Sequence, residues 1–172
     1  MVPPEIGWPK AVAANARAMA LDDTLSEVHV NSGGISMVYL RDYDAAEKDI
    51  KRAIELNPKF QEAHFIYSFF LLTRSRFDEA IAEANLALEL DRFSPRLGNH
   101  LGLSYLYARK FSDAVGAFRR TVELDPRNPL LHDSLADALL CSGLHSEAQR
   151  NGKQPLTAWV ILLLLKKASH AG

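Results

Sequence analysis

The 172-residue chain has one cysteine, Cys141, which rules out an internal disulfide framework and a cysteine-cluster zinc site. It has almost no excess charge: 20 Lys and Arg stand against 21 Asp and Glu, for a net charge of −1 and a pI near 6.6. A nucleic-acid surface built on overall basic charge is therefore not expected. Several chemical signatures are missing too. No G-x-x-x-x-G-K-[ST] or G-x-G-x-x-G phosphate cradle occurs, no H-E-x-x-H metal site and no G-x-S-x-G nucleophile elbow. The first residues, MVPPEIGWPK, show no basic segment followed by an apolar core, so no secretory signal is read there. The one long apolar run, AWVILLLL (158–165), falls short of the roughly 17–25 residues of a membrane span. With 48% hydrophobic and 24% charged residues, the composition is that of a folded, soluble protein, expected in a reducing compartment such as the cytoplasm.

What the chain does have is a period. Ala46, Ala80, Ala114 and Ala148 are spaced by 34 residues, and three positions before each stands Tyr43, Phe77, Phe111 or His145. Ala11, preceded by Trp8, extends the series backwards with a spacing of 35, one residue inserted. The segments AIELNP (53–58), ALELDR (87–92) and TVELDP (121–126) close successive repeats. Asp44, Asp78, Ser112 and Ser146 read as helix N-caps, two of them with a Glu or Gln three residues on as in a capping box. Asn57-Pro58 and Asp125-Pro126 read as helix ends, because a residue before proline avoids the α region. Ahead of each cap lies a second helical pattern with a small residue at its centre: Tyr67-Ser68-Leu71, Leu101-Gly102-Tyr105 and Leu135-Ala136-Leu139. The repeat is helix, tight turn, helix.

Leu101-Gly102, Tyr105, Ala114, Phe118 and Pro126 stand at set offsets that resemble the tetratricopeptide repeat. The second repeat departs from that pattern at Ser68 and Arg92. The resemblance implies an all-α solenoid of stacked helix pairs in a right-handed superhelix, whose first helices line a concave groove. Its expected organisation is an orphan second helix (1–25), repeats at 26–60, 61–94 and 95–128, an incomplete repeat (129–150) and a divergent apolar tail (151–172). The stretches ALDDTLSEVHV and DYDAAEKDIKRAIELNP also resemble bacterial arrays found C-terminal to winged-helix regulators or serine/threonine kinases. Such a chain is expected to be a fragment of something longer. The tail run 158–165 is expected to bury itself against the fourth repeat, with a divergent end or a partner-docking segment as the other readings.

Catalysis is not indicated, and no cofactor is expected. His29, His64 and His132 occupy equivalent points in three first helices, but stacked helices sit about 8–10 Å apart. Metal ligation needs about 2 Å, and no acidic partner is read beside these histidines, so their expected role is structural. Cys141 has no neighbour that would activate a thiolate and reads as a small buried residue. The twin glycines Gly33-Gly34 read as a close helix approach or a weak first repeat. Lys48, Lys51 and Arg52, like Arg119 and Arg120, alternate with acids as on a solvated helix face. Direct nucleic-acid contact and a transmembrane span are not expected, and a weak homo-oligomer is.

The groove positions implied by the resemblance are Phe65, Phe69 and Leu72 in the second repeat, Arg96, Asn99, Leu103 and Tyr107 in the third, and Asp133 and Asp137 in the fourth. Those of the first repeat stay ambiguous by one residue because of the insertion. Arg96 and His100 match one end of the family's carboxylate clamp, but Ile66 replaces a required Asn, so a clamp is not expected. The expected function is a protein-interaction module that holds an apolar segment or amphipathic helix of a partner protein. The alternative is a regulatory segment of a larger transcription regulator or kinase.

Overall fold

The computed structural model describes residues 4–151, and all regular structure in them is helical. In order come α1 (Pro4–Leu21), α2 (Ser26–Ile35) with a π-helical turn (Ser36–Leu40), α3 (Tyr43–Leu56), α4 (Gln61–Thr73) and α5 (Phe77–Leu90). Then follow α6 (Pro95–Tyr107), α7 (Phe111–Leu124), α8 (Pro129–Cys141) and α9 (His145–Arg150). The chain divides into two compact units, α1–α5 and α6–α9, with the boundary at Leu90/Asp91. The apolar run 158–165 lies outside the described residues.

The small residues of the repeat sit where helices cross. Ala46, Ala80, Ala114 and Ala148 are each 0% exposed. In the N-terminal unit a side-chain carbon on Gly33 would stand 2.5 Å from Ile50 Cγ1 and 3.1 Å from the Ala46 carbonyl, so α2 and α3 touch through that hydrogen atom. Gly34 meets nothing within 4 Å, so only one of the two glycines serves close approach. Ser68 fills the same role on α4, and its hydroxyl donates to the Ala80 carbonyl at 2.7 Å, which explains its tolerance at a buried crossing. In the C-terminal unit a carbon on Gly102 would fall 2.5 Å from the buried Phe118 ring.

Helix starts differ from the sequence expectation by two residues. α3 is capped by Asp42, whose carboxylate accepts the Ala45 N–H, while the residues before α7 and α9, Lys110 and Leu144, give no side-chain cap. Asp44, Asp78, Ser112 and Ser146 lie inside the first turn instead. Asp44 and Asp78 there face the positive end of the helix dipole, which favours the same residue type for a different reason. Helix ends fall as expected, at Leu56 and Leu124 before the Asn-Pro and Asp-Pro steps, and α5 stops at Leu90 without a proline.

Each turn between paired helices uses one left-handed residue: Arg41 (φ 58°), Ser75 (57°), Arg109 (60°) and Gly143 (83°), spaced by 34. In three of these turns the next N–H reaches back over the turn, Arg76 to the Leu71 carbonyl, Lys110 to Tyr105 and Leu144 to Leu139, at 2.8–2.9 Å. In the first repeat the matching bond runs from Asp42 to Ser36 at 3.0 Å and spans one residue more. The inserted residue is thus absorbed by the π-helical turn Ser36–Leu40, the usual way a helix accommodates an extra residue without losing register.

The three equivalent histidines act as latches. His64 is buried, with Nε2 3.0 Å from the Pro58 carbonyl and Nδ1 2.7 Å from Glu83. His29 contacts the Asp23 carbonyl (2.9 Å) and Asp49 (3.3 Å), and His132 the Pro126 carbonyl (2.9 Å) and Asn151 (3.4 Å). Each ring thus ties the loop before its first helix to the second helix of the same repeat. This corrects the expectation that the histidines lack acidic partners: the partners lie 19 or 20 residues on, across the helix pair, rather than adjacent in sequence. In the third repeat Gly98 and Ala117 occupy the two positions, so ring and partner are lost together. The N-terminal unit carries a second polar anchor. Burial pushes the Glu47 carboxyl up, but hydrogen bonds from Arg76, Lys51 and Tyr67 outweigh it and hold the group at about 2.

Candidate functional site

The N-terminal unit contains an apolar groove of about 830 Å³. α2 and its π-helical turn contribute Val30, Asn31, Gly34, Ile35, Met37 and Val38. α4 contributes Glu62, Phe65, Ile66 and Phe69. α1 contributes Trp8, Ala11, Ala14, Asn15 and Ala18, residues three and four apart on a single helix face. Trp8 is itself held by stacking on Tyr39 of the π-helical turn, with ring centres 5.6 Å apart and planes 7° from parallel. Glu62 is the single charged residue in the lining. A volume of this size and composition suits a few large apolar side chains of a ligand.

The wall formed by α1 has a sequence reason. Trp8, Ala11, Asn15 and Ala18 are the counterparts, 35 residues earlier, of Tyr43, Ala46, Ile50 and Ala53 on α3. On α3 the last three are 0% exposed, with Ala46 and Ile50 packed against Gly33 of α2. The same face on α1 borders the groove instead. The sequence leaves the first repeat's contribution open; the π-helical turn resolves it by placing Met37 and Val38 in the lining.

The expected groove residues distribute as follows. Phe65 and Phe69 line the groove together, and Phe69 is 44% exposed. Leu72 instead packs against the core cluster of Met37, Tyr67, Phe70 and Leu71. In the C-terminal unit, Arg96, Asn99, Leu103 and Tyr107 lie three or four residues apart along α6, with Arg96 exposed and Tyr107 50% exposed. The Asn99 side-chain oxygen is buried and makes no hydrogen bond among the described residues. Leu103 packs partly against the cluster around Phe118 and Leu139. Asp133 is exposed and Asp137 half-buried on α8, one turn apart. His100, matched in sequence to a carboxylate clamp, is 6% exposed. Burial, aided by the Arg96 charge, lowers its pKa to about 4, so it is a neutral core group near pH 7.

No group of three or more His, Cys, Asp or Glu side chains suited to a metal ion occurs among the described residues, and none of their helices is long and apolar enough to cross a membrane. Cys141 is half-buried; burial, then the neighbouring Asp137 charge, pushes its thiol up and disfavours the thiolate. Arg119 pairs with Glu147 of α9 at 2.6 Å, an inter-helix contact in place of the expected pairing along one helix face.

Paired antiparallel helices in a 34-residue period, with small residues at each crossing and an apolar face left open, define a helical-repeat protein of the all-α, solenoid-forming class. The model of the tetratricopeptide repeat matches residues 33–95 and 100–148, well over half of the chain. The chain belongs to the tetratricopeptide repeat family, whose members serve as protein-interaction modules. A curated relative, the small glutamine-rich tetratricopeptide repeat-containing protein 2 of Mycosarcoma maydis, is 28% identical over 115 residues. That alignment takes in 67% of this chain but only 33% of the relative, so the match spans about a third of the relative's length. Among solved structures, PilF of Pseudomonas aeruginosa has a TM-score of 0.76 at 19% identity, covering 95% of this chain and 78% of its own. MamA has a TM-score of 0.71 at 21% identity, covering 94% and 91%. YrrB, described as a TPR protein with an unusual peptide-binding site, has a TM-score of 0.67 at 17% identity, covering 80% and 71%. At these identities the structural likeness is one of fold.

Proposed function

We propose that the chain is a non-catalytic interaction module whose N-terminal unit receives an apolar segment or amphipathic helix of a partner protein between α1, α2 and α4. The observation that carries this reading is the groove lined by Trp8, Phe65 and Phe69 and nearly free of charge. Aromatic anchors in an apolar concavity are the side chains that most often dominate protein interfaces. YrrB, with its peptide-binding site on a similar fold, lends support at the level of fold alone. On α6 and α8, Arg96, Asn99 and Tyr107 orient the partner backbone, while Asp133 and Asp137 attract its basic residues. In a longer protein the same groove would hold a companion regulator or kinase domain. The simpler reading is preferred because residues of this chain alone build the groove.

A model amphipathic Leu/Lys peptide with a fluorescent label tests the proposal. Phe69→Ala should weaken its binding about tenfold or more while leaving far-ultraviolet circular dichroism unchanged, because the side chain is half in solvent. Equal losses of binding and helicity would mark Phe69 as core, and unchanged binding would remove the groove from the interface.

A further inference from the structure

We infer that the apolar segment 158–165 of a second copy of this chain docks in the N-terminal unit's groove and joins copies head to tail. The inference rests on the groove reading above and names an occupant for it. The wall of the groove supplies the first argument. Trp8, Ala11, Asn15 and Ala18 present the face that α3 uses to pack on a neighbouring helix, and here that face borders open space of about 830 Å³. The chain's own chemistry supplies the second. AWVILLLL is its longest uninterrupted apolar run and is followed by Lys166-Lys167. An apolar run with a basic flank matches an apolar groove whose one charged lining residue, Glu62, is acidic; an acidic peptide would not. A third argument is the nearest alternative seat. α9, HSEAQR, is six residues long with Ala148 its one buried residue, and it presents polar side chains beside the segment in sequence.

Groove and segment are different surfaces, since the groove is built from residues 8–69 and the segment begins at 158. The contact is therefore heterologous. Each added copy leaves one groove and one segment free, so assembly grows with concentration rather than closing as a symmetric dimer.

Sedimentation velocity on the full chain tests this with two variants, Phe69→Asp in the groove and Leu163→Asp in the segment. The unmodified chain should gain mass with concentration past the dimer. Each variant alone should sediment as a monomer. Mixed in equal amounts they should double in mass and stop, because one variant brings only a working segment and the other only a working groove. Circular dichroism checks that both are folded, and Val38→Asp on the groove lining provides a second groove variant should Phe69→Asp lose helicity.

A monomeric unmodified chain, or a mixture that stays monomeric, overturns the inference. So does Leu163→Asp lowering the melting of the C-terminal unit with no effect on mass, which would seat the segment on its own fourth repeat. The Leu/Lys peptide, titrated into the Leu163→Asp variant, separates the two readings. Peptide binding without assembly sinks this inference alone, whereas loss of both sinks the groove.

Discussion

Ala114 shows what a single position decides. It is 0% exposed and belongs to the cluster that joins α7 to α8 through Phe118, Leu135 and Leu139. Ala114→Leu adds three carbons where no space exists, and overpacking of this kind costs about 1–3 kcal/mol. Thermal melts of the variant should show that loss; an unchanged melt would mean that the helix crossing is not where the repeat register puts it. Position also governs the histidines. Their partners are legible in the sequence column 19 or 20 residues on, where Asp49, Glu83 and Asn151 accompany His29, His64 and His132. Neighbours in sequence do not reveal them, because the latch closes across a helix pair.

At the scale of the element, the turns carry strain that the helices do not. Ser75 and Arg109 hold left-handed backbone, which costs a residue with a side chain about 1–2 kcal/mol, while Gly143 adopts it freely at the equivalent point. Ser75→Gly should therefore stabilise the N-terminal unit by up to about 1 kcal/mol, the larger relief being offset by the extra freedom of glycine in the unfolded chain. Denaturant titration checks this, and a destabilised variant would show that the Ser75 side chain makes a contact worth more than the strain. The π-helical turn is the other element-scale device. One extra residue is legible as a spacing of 35, but whether a loop, a bulge or a helix takes it up is not. The answer places Met37 and Val38 in the groove and Tyr39 under Trp8.

Across the whole molecule the two units respond to pH in opposite senses. In the N-terminal unit the hydrogen bond to Glu83, outweighing burial, raises His64 above its ordinary value. Its contribution is full below the unfolded value near 6.5 and is lost as pH rises through the raised one. In the C-terminal unit, burial lowers His100 to about 4. The unfolded chain takes up that proton first, so stability present above pH 6.5 falls as pH drops towards 4, by up to about 3 kcal/mol. The Glu47 carboxyl, held at about 2, stays ionised over the same interval and keeps its anchor in the N-terminal unit. Hydrogen exchange at pH 5 against pH 7.5 should thus show protection falling in α6–α8 and holding in α2–α4. Uniform loss across both units would refute the assignment.

Helix pairing, the 34-residue period and the small-residue crossings are readable in the chain because each depends on local propensity and on spacing along one helix. Ala46, Ala80, Ala114 and Ala148 announce the crossings before any coordinate is known. Cap positions fall two residues from the sequence expectation because an acid in the first turn and an acid at the cap satisfy the same dipole and differ only in backbone angles. His100 cannot be told from a surface clamp residue by its position, since burial depends on what the neighbouring helices cover. The groove lies furthest from the sequence. Nothing in residues 8–18 shows that the face α3 buries borders open space on α1, because that depends on which helices pack beside it, and only packing in three dimensions supplies or withholds such a neighbour.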